Sequence, residues 1–321
     1  MDVILVCHTE PGYVEGRRLI FSNAAPEGVT AGVEQLASMA DRYGAKVTFA
    51  VMPEVAKLFP AGLAHEVGLH VHPGAEKLQT GKHRVLVGDK YLREHCRTSS
   101  TSTVLRDYPY EEQLAMIAAG KDCLRDVLGA RALTFVAGRW SVNDDTVRAL
   151  VAEGFTHDCS AVPHKPSSHY DWSRLPRICM PYRPDPGDYQ RRGNMPLLVV
   201  PVSQSLLGAS ATPELAPLVG LPWLKACFEE YYRQRLPLFH VCLHSPSMTD
   251  PYYRDIMDGL LRFVAGHDVR FRFASEIGDG GAMSPKADVV PYLAAINRNM
   301  LSAGPALAGR MMTAVRPYAG D

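Results

Sequence analysis

His65-Glu66-Val67-Gly68-Leu69-His70-Val71-His72-Pro73 carries the decisive signal in this chain. Its middle reads as a strand, over about 67–71. In a strand, side chains at i and i+2 leave the same face, so His70 and His72 point together. Two imidazoles on one face suit a zinc-like ion, which favours nitrogen ligands and commonly takes three protein ligands plus a water. An adjacent histidine pair also fits an ordinary structural role. Its place at the end of a parallel strand is the stronger clue, because α/β barrels build their sites there.

Working outward, short apolar runs alternate with stretches of helical period, the pattern of parallel strands joined by helices. Strands are predicted at 2–7, 45–52, 67–71, 132–137, 155–160, 197–202, 238–243 and 269–273. Helices are predicted at 29–43, 110–128, 144–153, 222–235 and 252–266. The third of these is well signalled, since Ser141 or Asn143 can cap it and Asp144 and Asp145 favour its positive end. Residues 74–108 and 161–196 read as long loops, either insertions over a site or mobile segments. The tail, 289–315, reads as one or two helices packed on the barrel or at a dimer contact, with membrane-surface attachment as the other reading. The expected division is a barrel over 1–280 and a helical extension over 281–321.

Composition narrows the class. The chain has 321 residues, 46% hydrophobic and 21% charged, with 34 basic residues balancing 34 acidic ones. That balance argues against a broad electrostatic footprint for nucleic acid and favours a small, neutral or mildly charged ligand. The seven cysteines, at 7, 96, 123, 159, 179, 227 and 242, are odd in number and show no C-x-x-C spacing. Neither a disulfide framework nor a thiolate zinc site is expected. The N-terminus enters a strand directly without the pattern of a signal peptide, and no apolar stretch reaches the about 20 residues of a transmembrane helix, so a cytoplasmic location is expected.

Three more strand ends carry polar groups. Cys7-His8-Thr9-Glu10 places His8 and Glu10 on one face; Glu10 offers a carboxylate oxygen to a His/His/carboxylate set, and His8 titrates near neutrality and can take a proton from water. Phe239-His240-Val241-Cys242-Leu243-His244-Ser245 puts His244 at the edge of a buried strand, where it can protonate a leaving amine; His240, deeper, reads as a hydrogen-bonded core residue. Phe135-Val136-Ala137-Gly138-Arg139-Trp140 ends in Arg139, which can orient a carboxylate or a substrate hydroxyl, or anchor the loop through a salt bridge.

In this order the motifs resemble the polysaccharide deacetylase family (carbohydrate esterase family 4, the chitooligosaccharide deacetylase type) over residues 2–275. The matching pieces are Val47-Thr48-Phe49, Glu66-Val67-Gly68-Leu69-His70, Phe135 through Trp140, Asn143 through Leu150 with Gly154-Phe155, and Leu243-His244. The resemblance implies an α/β fold, a distorted (β/α)7-type barrel, with a divalent metal and hydrolysis of an acetamide on an amino sugar. The family's base and metal-binding aspartates fall on His8 and Glu10, its first metal histidine on His70, and its general acid on His244. Its second metal histidine falls on Gly74, for which this chain offers His72. Its third-motif arginine falls on Val136, so Arg139 substitutes or the interaction is lost.

The expectation is therefore an N-deacetylase with Zn²⁺, or Co²⁺ or Ni²⁺, held by Glu10, His70 and His72. His8 acts as base and His244 as acid. Arg139 and Trp140 shape the acetamide pocket. Asp188, Tyr189 and Arg191, with Asp185 and Arg192, are candidates to touch sugar hydroxyls. The expected partner is an N-acetylated saccharide made in the cytoplasm, with a homodimer possible. Two other readings stay open: a hydrolase of non-sugar linear or cyclic amides, and a degenerate carbohydrate-binding relative.

Overall fold

Eight residues form the first strand, β1 (Asp2–Thr9), buried along nearly its whole length. A run that is apolar on both faces belongs inside a parallel sheet covered by helices. The structure, a computed structural model, describes residues 1–73, 78–80, 83–85, 90–281, 283 and 285–302. The other parallel strands are β2 (Val47–Val51), β3 (Glu66–Val71), β4 (Thr134–Ala137), β5 (His157–Asp158), β6 (Leu198–Val199), β7 (Leu238–His244) and β8 (Arg270–Phe271). Their order is β6-β5-β4-β3-β2-β1-β7, with β8 also paired to β1.

The sheet curls into a distorted barrel. Helices α1 (Thr30–Arg42), α2 (Tyr110–Leu128), α3 (Asp144–Ala152), α4 (Ala216–Arg233) and α5 (Pro251–Ala265) pack around it. The α3 start has a capping box: Asn143 accepts from the Thr146 N–H, and Thr146 Oγ1 from the Asn143 N–H. Helix α4 starts six residues earlier than the periodicity suggests, because Gly220 (φ 75) breaks the helix ahead of Pro222 and the apolar pattern begins only after it. The predicted loop 161–196 contains a hairpin, Pro184–Asp185 with Asp188–Arg192. Of the other predicted loop, residues 74–77, 81–82 and 86–89 lie outside the described residues, as do 303–321 of the predicted extension.

Among the described residues, no ladder joins β6 to β7. Instead Ser203 bridges the gap: its N–H donates to the His240 carbonyl (3.1 Å) and its Oγ accepts from the His240 N–H (2.9 Å). His240 Nδ1 meets the Val200 and Pro201 carbonyls, each at 3.2 Å, so it is the hydrogen-bonded core residue the sequence suggested. Inside the barrel, Ile4, Val6, Ala50, Val136, Cys159, Leu198 and Val200 form an apolar middle layer. Below it Glu66 accepts from Thr48 (2.5 Å) and Thr134 (2.9 Å). The open end above it holds the histidines.

Past the barrel, a short helix (Val290–Leu293) packs on α4, with the Tyr292 ring 4.5 Å from Trp223 and its hydroxyl donating to Glu230 Oε2 at 2.7 Å. Among the described residues, no helix is long and apolar enough to cross a membrane.

Candidate active site

Strand register assembles the site. His8 on β1 lies opposite His244 on β7 and opposite Ala50 on β2, and Ala50 in turn opposes Gly68 on β3. Ala50 and Gly68 are small, so imidazoles from β1 and β3 meet across the strand between them. The His8 ring stands 5.0 Å from His70 and 4.7 Å from His244. Beyond the end of β1, the Glu10 N–H donates to Ser245 Oγ at 3.2 Å, and the Ser245 hydroxyl donates back to the Glu10 carbonyl at 3.3 Å. This fixes the carboxylate between the two strand ends.

Glu10 and His70 are brought together: Glu10 Oε1 lies 2.8 Å from His70 Nε2, with both side chains buried. His70 Nδ1 donates to the Val136 carbonyl at 2.9 Å. Since a carbonyl only accepts, Nδ1 carries a proton, and Nε2 meets the carboxylate through a second proton or around a cation. Val136, where the resemblance led one to expect an arginine, contributes its backbone carbonyl instead. A second grouping shares the same carboxylate: among the described residues, ligand atoms of His8, Glu10 and His244 all lie within 4.8 Å of one another. His72 stands beside His70, ring centroids 5.8 Å apart, and its ring is pressed against Gly138, where a Cβ would come within 2.6 Å of it. His72 is not part of the 4.8 Å grouping.

Electrostatics sort these groups. Burial works against the Glu10 carboxylate, but the His70 hydrogen bond and charge, with His244 and His72 behind, outweigh it and hold the group down at about 2. Burial, reinforced by the neighbouring imidazoles, pushes His8 well below the usual imidazole range. Burial likewise lowers His72 to about 4, against the pull of Glu10. His244 goes the other way. Burial opposes its charge, yet the Glu214 carboxylate, helped by Glu10, raises it. Glu214 Oε1 accepts from the His244 N–H at 2.8 Å and lies 3.6 Å from its Nδ1.

The far wall is a strained turn. Gly138, Arg139 and Trp140 follow β4, with Arg139 at φ 57 and Trp140 at φ 58. Two successive non-glycine residues in the left-handed region cost about 1–3 kcal/mol each, a strain that clusters at functional sites. The result sets the Trp140 ring edge-on to His8 at 4.7 Å. Arg139, half-buried and within electrostatic reach of Glu10, meets His169 Nε2 at 2.7 Å. Opposite, Phe21 of the hairpin Gly12–Glu15/Arg18–Phe21 stands edge-on to His244 at 5.2 Å.

The second-loop candidates have other partners. Arg174 clasps Asp188, Arg191 pairs with Asp185 at 2.8 Å, and Arg192 pairs with Asp279 at 2.6 Å. The Tyr189 hydroxyl donates to the Asp171 carbonyl, and its ring packs on Trp172, 5.0 Å away. Trp172 Nε1 in turn donates to the Trp140 carbonyl at 3.0 Å. Sequence reasoning missed Glu214, Phe21 and Trp172. Thr212-Pro213-Glu214 does carry a helix-start signature, but nothing local ties it to His244.

The donor set fits a divalent metal ion. Among the described residues, His8 Nε2 and His72 Nδ1 are buried without a hydrogen-bond partner, near a carboxylate held ionised. A carboxylate and imidazole nitrogens not engaged elsewhere are the donor types such an ion takes.

No protein-family model matches the chain, and no curated protein matches it. Solved structures do. A protein from Mycobacterium smegmatis assigned as a polysaccharide deacetylase is 17% identical with a TM-score of 0.55, covering 89% of this chain and 94% of its own. PuuE allantoinase is 14% identical with a TM-score of 0.55, covering 86% and 88%. A protein from Pseudomonas aeruginosa PAO1, also assigned as a polysaccharide deacetylase, is 15% identical with a TM-score of 0.54, over the same shares. The chain has the polysaccharide deacetylase fold, at identities that place it far from these structures in sequence.

Proposed function

We propose that this protein is a metal-dependent amide hydrolase that removes the acetyl group from an N-acetylated amino sugar. The observation that carries the reading is the buried Glu10–His70 pair, ringed by His8, His72 and His244 at the mouth of a parallel barrel. Glu10, His70 and His72 would hold the ion. When bound, a zinc-like ion supplies Lewis acidity toward the amide carbonyl and toward water. His8, kept neutral by burial, accepts the proton of the attacking water at Nε2. His244, whose charge Glu214 sustains, delivers a proton to the departing nitrogen as the C–N bond breaks. Trp140 and Phe21 wall the cleft on either side, and Arg139 stands beside Trp140 to orient the substrate. The substrate class that fits the notion of a cytoplasmic enzyme is a free, nucleotide-linked or lipid-linked saccharide of surface-glycan synthesis.

The test is acetate release from N-acetylglucosamine oligomers and nucleotide-linked N-acetylglucosamine, with added zinc. Release that is lost in His70→Ala supports the reading. Saccharide binding without release would identify a non-hydrolytic relative. A second reading, hydrolysis of a non-sugar amide ring, is favoured by the equal structural likeness to an allantoinase. Turnover of allantoin with none of the sugars would establish it instead.

A further inference from the structure

Two fully buried side chains outside the histidine cluster, Asp158 and Ser160, point at the site's strained wall. The ladder between β4 and β5 ends at the Phe135/Asp158 pair, so beyond it the Ala137 N–H faces no strand partner on that side. Ser160 Oγ takes that N–H at 2.8 Å. A serine hydroxyl has one proton, and here it goes to Asp158 Oδ1 at 2.5 Å; the same oxygen also accepts the Ser160 N–H at 3.0 Å. Asp158 therefore sets the hydroxyl rotor and leaves the Ser160 lone pair aimed at Ala137. Ala137 is the last residue before the Gly138–Trp140 turn, whose other end is tied by Trp172 through the Trp140 carbonyl.

We propose that Asp158 and Ser160 are positioning residues that hold the left-handed Arg139–Trp140 turn, and so keep the Trp140 indole edge-on to His8 as a wall of the substrate cleft. The consequence for substrate rests on the hydrolase reading above; the consequence for Trp140 does not. Among the described residues the second carboxylate oxygen of Asp158 has no partner, and burial pushes the group up to about 7. A buried carboxyl with half its acceptor capacity unmet is a costly way to fill a core. An apolar pair would serve packing alone.

Fluorine NMR of protein labelled with 5-fluorotryptophan tests this, with three resonances expected and Trp140 assigned through Trp140→Phe. Ser160→Ala and Asp158→Ala should displace or broaden the Trp140 signal and leave Trp223, on α4, unmoved. Asp158→Asn keeps the acceptor oxygen and should match wild type. Zinc affinity should be unchanged in all three, while KM for an N-acetylated saccharide rises more than kcat falls in the two alanine variants. If Ser160→Ala gives no folded protein, Ser160→Cys, similar in size but a weak acceptor, carries the same expectation. An unmoved Trp140 signal in a folded serine variant overturns the proposal, as does a joint shift of Trp140 and Trp223, or an Asp158→Asn displacement as large as that of Asp158→Ala. A displaced Trp140 in a protein that releases no acetate would leave this inference standing and remove the hydrolase reading.

Discussion

Replacing Glu10 by glutamine keeps the size of the side chain and removes its charge. In the fold the carboxyl is held at about 2 against an ordinary 4.5, chiefly because the His70 contact overcomes the burial penalty. That difference corresponds to about 3 kcal/mol favouring the carboxylate in the native state. It is a large share of a domain stability of about 5–15 kcal/mol. Because the folded value lies below the unfolded one, the contribution is complete above about 4.5 and disappears as the pH falls through about 2. Urea unfolding of wild type and Glu10→Gln, both stripped of metal, reads the gap directly. It should be about 3 kcal/mol near pH 7, stay level down to about pH 5, then narrow toward about 1.4 kcal/mol less per pH unit. A gap below about 1 kcal/mol near neutrality, or one that fails to narrow in acid, would refute the reasoning that His70 holds the carboxylate ionised.

Two further substitutions test the surroundings. Glu214→Gln removes the charge that raises His244, so the pH above which His244 loses its proton moves down; the alkaline limb of the kcat/KM profile should shift to lower pH, and an unmoved limb would separate His244 from the proton transfer. Gly138→Ala places a Cβ within 2.6 Å of the His72 ring and 2.9 Å of the Val71 carbonyl, an overpacking worth about 1–3 kcal/mol. Thermal unfolding should show the loss, and wild-type stability would mean that the ring and the turn are not in contact.

Alternation along strands made the centre of the site legible. His8 with Glu10, and His70 with His72, each obey a period of two, and the ends of parallel strands in a barrel gather at one mouth. The sequence therefore pointed to Glu10 and His70 across 60 residues, side chains that the structure sets 2.8 Å apart, without fixing which other imidazoles come closest. The structure groups His8 and His244 with Glu10 more tightly than it does His72, because β1 pairs directly with β7 whereas His72 lies past the end of β3. Glu214 and the Asp158–Ser160 anchor were invisible because each acts through one long-range contact that leaves no periodic trace. The hairpin carrying Phe21 was missed for a local reason. Its turn is Gly16-Arg17, at φ 54 and 62, and lacks the Asn-Gly or Asp-Gly signal by which such turns are recognised. Asp188, Tyr189 and Arg191 looked like sugar contacts because charged and aromatic residues crowd the loop, but Arg174, Asp171 and Asp185 already engage them.

Isothermal titration of the metal-free protein with zinc addresses the heart of the account. Wild type should take up one ion per chain, and His70→Gln should lose it, since that variant replaces the imidazole facing Glu10 with an amide, a far weaker ligand, while leaving the apolar layer of the barrel untouched. A wild-type protein that binds no ion at saturating zinc, or a His70→Gln variant that binds as tightly as wild type, would contradict it.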